Sequence, residues 1–427
     1  MREMKDSGIE WIGEIPADWK TNRLQWHLEE LKVQNSPVQC EDVLSLTIEA
    51  GVIPYEDKGN QGNKSKENLD EYKLAYPDTL VVNSMNVIIG AVGISKYFGC
   101  VSPVYYVFKA ASGTDLKYIY YLFTNVGFQK EMRKYTKGIL EIRLRISAND
   151  MLKLSIPSPS YEEQCLISAT LDRICAKIDA VIAKTKATIE EYKKLKQSII
   201  TEAVTKGIRG DRSMKESGIE WIGEMPTEWS MTKLSGATLS MRNGYVGPTR
   251  DLFFEDGVRY IQSLHIKNGK IDFDRHPYYV SDEWAEVHPK IKTNDILIVQ
   301  TGDIGQVGIV EDKYDGCNCH ALIIATPNSD VVIPNYLKFY LMSFVGRELM
   351  LSFRTGALLP HLNAGKIKFT PVVVPSLHEQ EEIAEYLAKK CAEIDALIDK
   401  KMVLLEELEE YKESVIYEYV TGKKEVV

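Results

Sequence analysis

The sequence predicts an α+β protein: two mixed α/β globules joined by two long antiparallel coiled-coil helices, arranged as a pseudo-twofold tandem repeat. Two internal matches carry that reading. Met4–Trp19 (MKDSGIEWIGEIPADW) and Met214–Trp229 (MKESGIEWIGEMPTEW) share 12 of 16 residues at an offset of 210. Pro159–Lys206 matches Pro375–Gly422 at an offset of 216, without gaps and with 21 of 48 residues identical. A fixed-offset repeat governs architecture before any local element is read. The chain of 427 residues, 44% hydrophobic and 26% charged, has room for several domains of about 100–200 residues each.

The repeat divides the chain into residues 1–158, a first globule with its N-terminal box, and 159–213, a helix and linker. Residues 214–374 form a second globule with the repeated box, and 375–427 a second helix. The first helix rests on apolar spacing. Ile167, Leu171, Ile174, Ile178, Val181, Thr185, Thr188, Tyr192, Leu195 and Ile199 alternate steps of four and three, the seam of a coiled coil. Its copy keeps the register through Ile383, Leu387, Lys390, Ile394, Leu397, Lys401, Leu404, Leu408, Tyr411 and Val415. Tyr192 and Tyr411 are read as packing residues of these seams. Proline-containing stretches (IPSPSYEEQ and VVVPSLHEQ) precede both helices, as at a strand handing over to a helix.

At 1.5 Å per residue, the seam makes a rod of about 50 Å. It is expected to carry the chain from one globule to the other, and the second helix to return, bringing the C-terminus near Met4–Trp19. Within the globules, Tyr76–Val107 and Ile291–Thr326 are rich in Val, Ile and Tyr and are broken by Gly, Asn and Asp, which predicts short strands. Helical patterns follow at Leu116–Tyr135 and Tyr336–Phe353, then a final strand.

Composition narrows the function classes. No run of about 18 apolar residues and no apolar signal core at the N-terminus predict a cytoplasmic protein without a membrane span. Seven cysteines without regular pairing read as reduced thiols. The net charge of −9 is concentrated: residues 376–427 hold 14 acidic and 7 basic groups. The remainder is near neutral and free to carry basic surfaces.

Motifs for chemistry are missing or misspaced. No N-P-P-[FY] tetrapeptide, the base-holding motif of adenine methyltransferases, occurs. Gly59–Ser65 (GNQGNKS) lacks the phosphate-loop spacing and reads as a turn. Gly302, Gly305 and Gly308 have the wrong spacing for a dinucleotide fingerprint and read as tight turns. Glu71-Tyr72-Lys73 with Pro77-Asp78 holds nuclease-like pieces in the wrong order. Cys317, Cys319 and His320 (CNCH) have ligand chemistry but no second cluster, so a partly buried strand is favoured over zinc and no metal is expected. No Ser, His and carboxylate set is recognisable.

The SGIEWIGEIPADW and SGIEWIGEMPTEW boxes, the PSPSYEEQ and PSLHEQ helix openings and the tandem order resemble the specificity subunit of type I restriction-modification systems. The strand patterns GCVSPVYYVF (Gly99–Phe108) and NDILIVQTGDIGQVGIV (Asn294–Val310) agree, and the resemblance spans essentially the whole chain. It implies that each globule is a target-recognition domain reading half of a bipartite site in double-stranded DNA. The helices would set the spacing and dock two DNA-methyltransferase subunits for adenine N6 methylation, and restriction/translocase subunits would complete the assembly. The chain itself would be non-catalytic and free of cofactors, with S-adenosylmethionine, ATP and Mg on the partner subunits. The rival reading is a coiled-coil adaptor whose globules bind protein.

Candidate DNA contacts come from charge and position. Lys130, Arg133, Lys134, Lys137, Arg143, Arg145 and Lys153 make residues 130–153 the most basic stretch of the first globule, against Glu131, Glu141 and Asp150. Glu141, Arg143 and Arg145 would share one strand face. There they would meet phosphates or guanine edges, or simply form a solvated face with a local ion pair. The corresponding segment of the second globule holds Arg354, His361, Asn363, Lys366 and Lys368. Asn83 and Asn86 in the first globule, and Gln300, Thr301 and Asp303 in the second, have side chains suited to base edges, as does the Arg242–Tyr245 turn. Trp11, Ile12, Trp19 and their copies Trp221, Ile222 and Trp229 are either partner anchors or staples between a helix end and the next globule, the staple being favoured.

Overall fold

A computed structural model describes residues 2–59, 68–137, 144–356 and 360–426. The chain forms two units, Met1–Lys186 with Met402–Val427, and Ala187–Lys401. Both divisions fall inside long helices, Tyr161–Lys206 and Leu377–Val420.

In the first unit the box is a hairpin of Met4–Ile9 with Gly13–Pro16. Lys20–Arg23 then pairs with Ser155–Ser158, so the start of the globule is clipped to its end. The central sheet is antiparallel, in the order Leu28–Glu30, Tyr105–Ala110, Leu80–Asn83, Val92–Ile94. Leu80, Val82 and Phe108 face the helices Leu116–Thr124 and Val126–Lys134, while Val81 and Val107 pack against Leu44, Leu46, Val52 and Val101. Covering on both faces explains why Leu80–Val82 is an unbroken apolar run and not an alternating one. Asp115 and Asn125 cap the two helices through their carboxylate and amide oxygens.

The second unit repeats the plan. Met214–Glu216 pairs with Glu224–Pro226, and Ser230–Lys233 with Pro371–Val374. Its central sheet runs Thr238–Asn243, Leu322–Pro327, Ile296–Val299, Val307–Ile309, beside the helices Pro334–Met342 and Phe344–Leu351. An additional three-stranded sheet, Tyr279–Val280, Val258–Ile261 and Asn318–Cys319, contains one parallel pairing.

The repeated box closes on the start of a long helix in each unit. Trp19 Nε1 donates to Glu163 at 2.9 Å, and Trp229 Nε1 to Glu379 at 2.8 Å. Arg2 and Arg212 join the same carboxylates at 2.5 Å and lie over the indole rings at 5.7 and 5.4 Å. These bonds, Glu163 and Glu379 first, hold both guanidinium groups above their ordinary pKa. The next residue, Gln164 or Gln380, is buried and binds backbone on both sides: Asp115 N and Pro159 O in one unit, Ile333 N and Pro375 O in the other. Trp19, Trp229, Ile12 and Ile222 are buried staples. Trp11 is half-buried against Phe128 and Tyr417, whereas Trp221 is exposed.

Each unit contains an antiparallel helix pairing. In the first, Ile167, Leu171 and Cys175 share a core with Val415, Ile416, Tyr419 and Val420, and Lys412 meets Asp179 at 2.6 Å. In the second, Ile200, Ala203 and Val204 share one with Ile383, Ala384, Leu387 and Cys391, and Lys196 meets Asp395 at 2.7 Å. The two ion pairs are copies, since both partners are displaced by 216. Lys196 is less exposed than Lys412 (13% against 32%). Lys196→Ala is therefore expected to cost more than Lys412→Ala, each on the order of 0.2–1 kcal/mol, with thermal melts as the check and the reversed order as the contrary result.

The expected seam needs correction. Ile167, Leu171, Ile178, Ile383, Leu387, Ile394 and Val415 are buried, and Ile174, Ile199, Leu404 and Leu408 half-buried. Val181, Leu195, Leu397 and Tyr411 are exposed. Thr185 keeps its expected place on the buried stripe, which otherwise passes through Cys175, Ile189, Ile200 and Val204. A strict 3.5-residue repeat drifts by about 20° per heptad around a helix of 3.6 residues per turn, so a heptad reading rotates off the buried face.

The last helix ends against the first box, as expected. Tyr417 Oη and Lys423 Nζ donate to Ile12 O at 3.2 and 2.8 Å. Gly422 has φ +70°, and a Cβ there would sit 2.5 Å from the Pro16 ring. Gly422→Ala is expected to destabilise the first unit by about 1–3 kcal/mol; an unchanged melting temperature would contradict this packing.

Candidate nucleic-acid interface

In the first unit the central strand Leu80–Asn83 ends in a turn. Asn83 is buried, and its Oδ1 accepts from Met85 N at 3.0 Å and Asn86 N at 3.4 Å; Met85 and Asn86 are exposed. A basic loop docks on this end. Lys137 and Arg145 form an antiparallel bridge, with N···O distances of 2.9 and 3.1 Å. Ile146 N then donates to Ser84 O at 3.1 Å, and Tyr106 Oη to Ile146 O at 3.2 Å. Asn83, Asn86, Lys137 and Arg145 are thus brought together, Lys137 and Arg145 through an isolated bridge. Glu141, Ile142 and Arg143 lie outside the described residues, as does the Gly59–Ser65 loop beyond Gly59.

Lys73 joins this group, and no reading of the sequence placed it there. Its Nζ donates to Tyr105 O at 2.6 Å and lies 5.0 Å from the Tyr106 ring centre. Burial first, then repulsion by Arg145 and Lys32, push its pKa down against the pull of Glu30. Lys32 and Arg145 therefore both act on Lys73, a local positive field inside a chain of net negative charge. A cavity of about 330 Å³, lined in part by Ser45, Asn83, Asn86, Ser102 and Tyr105, opens at the same sheet end.

The second unit has the same frame with other side chains. Gln300 follows strand Ile296–Val299, and Leu362 N donates to Gln300 O at 3.0 Å, as Ile146 does to Ser84. Thr355 and His361 replace Lys137 and Arg145 in the bridge, at 3.0 and 2.8 Å, and their side chains meet at 3.1 Å. Gln300 Oε1 is sealed from solvent without a partner among the described residues. Thr301 and Arg354 are exposed beside it in sequence and on the loop respectively.

Some candidates also have partners within the unit. Asp303, read as a base-edge group, faces Arg347 at 3.6 Å and accepts from Gln306 at 3.0 Å. Asn363 caps the short helix Ala364–Ile367 by accepting from Gly365 N at 2.8 Å. Lys366 is exposed on that helix. The helix then turns the chain back: Lys368 O accepts from Ser235 N, and its Nζ lies 5.1 Å from the Phe369 ring centre. Ser235 precedes strand Thr238–Asn243, whose other end adjoins Gln300, so Lys368 stands at the far end of the sheet from the loop. In the Arg242–Tyr245 turn, Arg242 donates to Lys290 O at 2.8 Å.

No group of three or more metal-ligating side chains occurs among the described residues, and no helix there is long and apolar enough to cross a membrane.

Comparison with known proteins agrees with this frame. Residues 249–407 match the family model described as the type I restriction modification DNA specificity domain. The chain is 26% identical over 261 residues to the type I restriction enzyme EcoBI specificity subunit of Escherichia coli, covering 59% of this chain and about half (54%) of that relative. It is 24% identical over 420 residues to the type I restriction enzyme MjaVIII specificity subunit of Methanocaldococcus jannaschii, covering 96% and 93%. A chain from a solved type I R-M system, in work on its complex assembly and conformational transition, superposes with a TM-score of 0.71 at 14% identity, covering 96% of this chain and 99% of that one. That likeness is one of fold.

Proposed function

Because this chain belongs to the family of specificity subunits of type I restriction-modification systems, we propose that each of its units reads one half of a bipartite site in double-stranded DNA. One observation supports the division of labour above others. Both units present a bridged loop on the end of the central sheet through the same backbone bond, yet the side chains differ: Ser84, Lys137 and Arg145 in one, Gln300, Thr355 and His361 in the other. One frame with two sets of groups gives two unlike half-sites. Lys and Arg supply salt-dependent phosphate attraction, and a few polar side chains supply sequence discrimination.

The subunit is non-catalytic. Two DNA-methyltransferase subunits dock on it and carry adenine N6 methylation with S-adenosylmethionine, while restriction/translocase subunits use ATP and Mg. The long helices, each passing from one unit into the other, set the spacing of the half-sites. An exposed aromatic surface supports docking in the second unit: Trp221 and Phe344 flank an open cleft of about 670 Å³ with Lys194, Gln197 and Thr201. Exposed Trp is enriched at binding hot spots.

The test is selection of random duplexes by the complex of this chain with its methyltransferase. Two enriched blocks separated by a fixed unselected spacer are expected, and retention without sequence preference would favour the adaptor reading instead.

A further inference from the structure

The CNCH segment of the second unit holds the short buried strand Asn318–Cys319, as the sequence favours, and ends at His320, whose backbone bridges Tyr245. Cys317 and Cys319 are buried, and burial pushes the Cys319 thiol up to about 12, so neither offers a ready thiolate. His320 differs. Its backbone is held by N–H donation to Ile261 O at 2.8 Å and by the flanking bonds Tyr245 N to Cys319 O and Ala321 N to Tyr245 O, at 2.9 and 2.8 Å. Ala321 has φ +49°, a left-handed conformation that a non-glycine residue keeps only when its surroundings impose it. Gly244 lies so close to Cys319 that a Cβ would stand 2.5 Å from its carbonyl oxygen. The loop therefore holds one shape.

The ring is held as well. His320 Nδ1 and Tyr260 Oη are 3.2 Å apart, and Tyr260 is fully buried. A buried hydroxyl that donates nothing is penalised, and among the described residues Tyr260 Oη has no other partner. It therefore donates to Nδ1, which places the proton of the neutral imidazole on Nε2. Burial lowers the pKa of His320 and favours that neutral form. Nε2 has no partner among the described residues, and the residue is half-exposed.

Its position coincides with the reading face. Val299 pairs with Leu322, so one further step of register sets Gln300 opposite Ala321, next to His320. We propose that His320 is a specificity-determining residue of the second unit, donating from Nε2–H to an acceptor on one base edge, such as guanine O6 or N7, with Tyr260 as the positioning residue that fixes the tautomer. The proposal rests on the DNA-recognition reading above.

The experiment maps N6-methyladenine made by the complex of the full chain with its methyltransferase, for wild type, His320→Ala, His320→Gln and Tyr260→Phe. His320→Ala is expected to relax one position of the second half-site by about tenfold or more and to leave the first half-site unchanged. His320→Gln, which keeps a donor, retains more discrimination at that position and gives the same readout should the alanine variant not accumulate. Tyr260→Phe, which keeps the ring, relaxes the same position by a smaller factor. A second half-site unaltered in the His320 variants overturns the proposal, as does relaxation spread evenly over both half-sites. No bipartite motif from the wild-type complex would count against the underlying reading instead, a distinguishable failure.

Discussion

Glu379→Ala is expected to destabilise the second unit by about 3–5 kcal/mol, the scale for removing one partner of a buried ion pair. The carboxylate is 6% exposed and holds two groups at once, Arg212 at 2.5 Å and Trp229 Nε1 at 2.8 Å. Removing it leaves the guanidinium, 13% exposed, with the more exposed Glu228 as its remaining carboxylate, and an indole N–H unpaired inside the core. At roughly 2–4 °C per kcal/mol for a body of this size, the melting transition falls by about 6–20 °C. The copy in the first unit provides the control. Glu163 and Arg2 are 19% and 22% exposed, so water replaces more of what is lost and Glu163→Ala costs less. Glu379→Gln retains an acceptor for Trp229 and falls between. Calorimetry on the three variants checks the order, and Glu163→Ala proving the more damaging would contradict the burial argument.

Arg145→Ala is expected to weaken binding to the first half-site by about 5- to 150-fold, corresponding to about 1–3 kcal/mol for a contact to a base edge. The loss should be confined to that half-site. Arg145 stands on the sheet end of the first unit with Lys73 and Asn86, held through Ile146 on Ser84. Anisotropy titrations would use duplexes with either half-site scrambled. Scrambling the first half should abolish the difference between wild type and variant, while scrambling the second should preserve it. A loss that is equal on every duplex, with the salt slope reduced by about one, would instead make Arg145 a phosphate contact.

The parts of this structure written in the sequence are those governed by local spacing. The box repeat, the helix openings and the apolar run TLVVN each depend on residues a few positions apart, and each takes the predicted form. Gln164 and Gln380, at the helix openings, show why: a buried amide that ties two backbone segments is needed wherever strand hands over to helix in this plan. The heptad reading failed at Val181, Leu195 and Leu397 because the seam follows the helix period and not 3.5.

The candidate interface is legible only in outline. Arg145, Asn83 and Asn86 stand out as candidates by charge and by their place at strand ends. Lys73 does not, because the groups that define its role, Tyr105 and Arg145, lie far along the chain and are joined to it by sheet pairing alone. The same holds for Tyr260 with His320 and for Arg347 with Asp303. Lys368 looked equivalent to its neighbours by sequence distance, yet the short helix after Asn363 carries it away.

The most direct measurement is a map of N6-methyladenine in a host without adenine methylation, expressing this chain with its methyltransferase. Methylation is expected at one asymmetric bipartite motif, two unlike blocks around a fixed spacer, which disappears when this chain is omitted. A palindromic motif with identical halves, or methylation that persists unchanged without the chain, would contradict it.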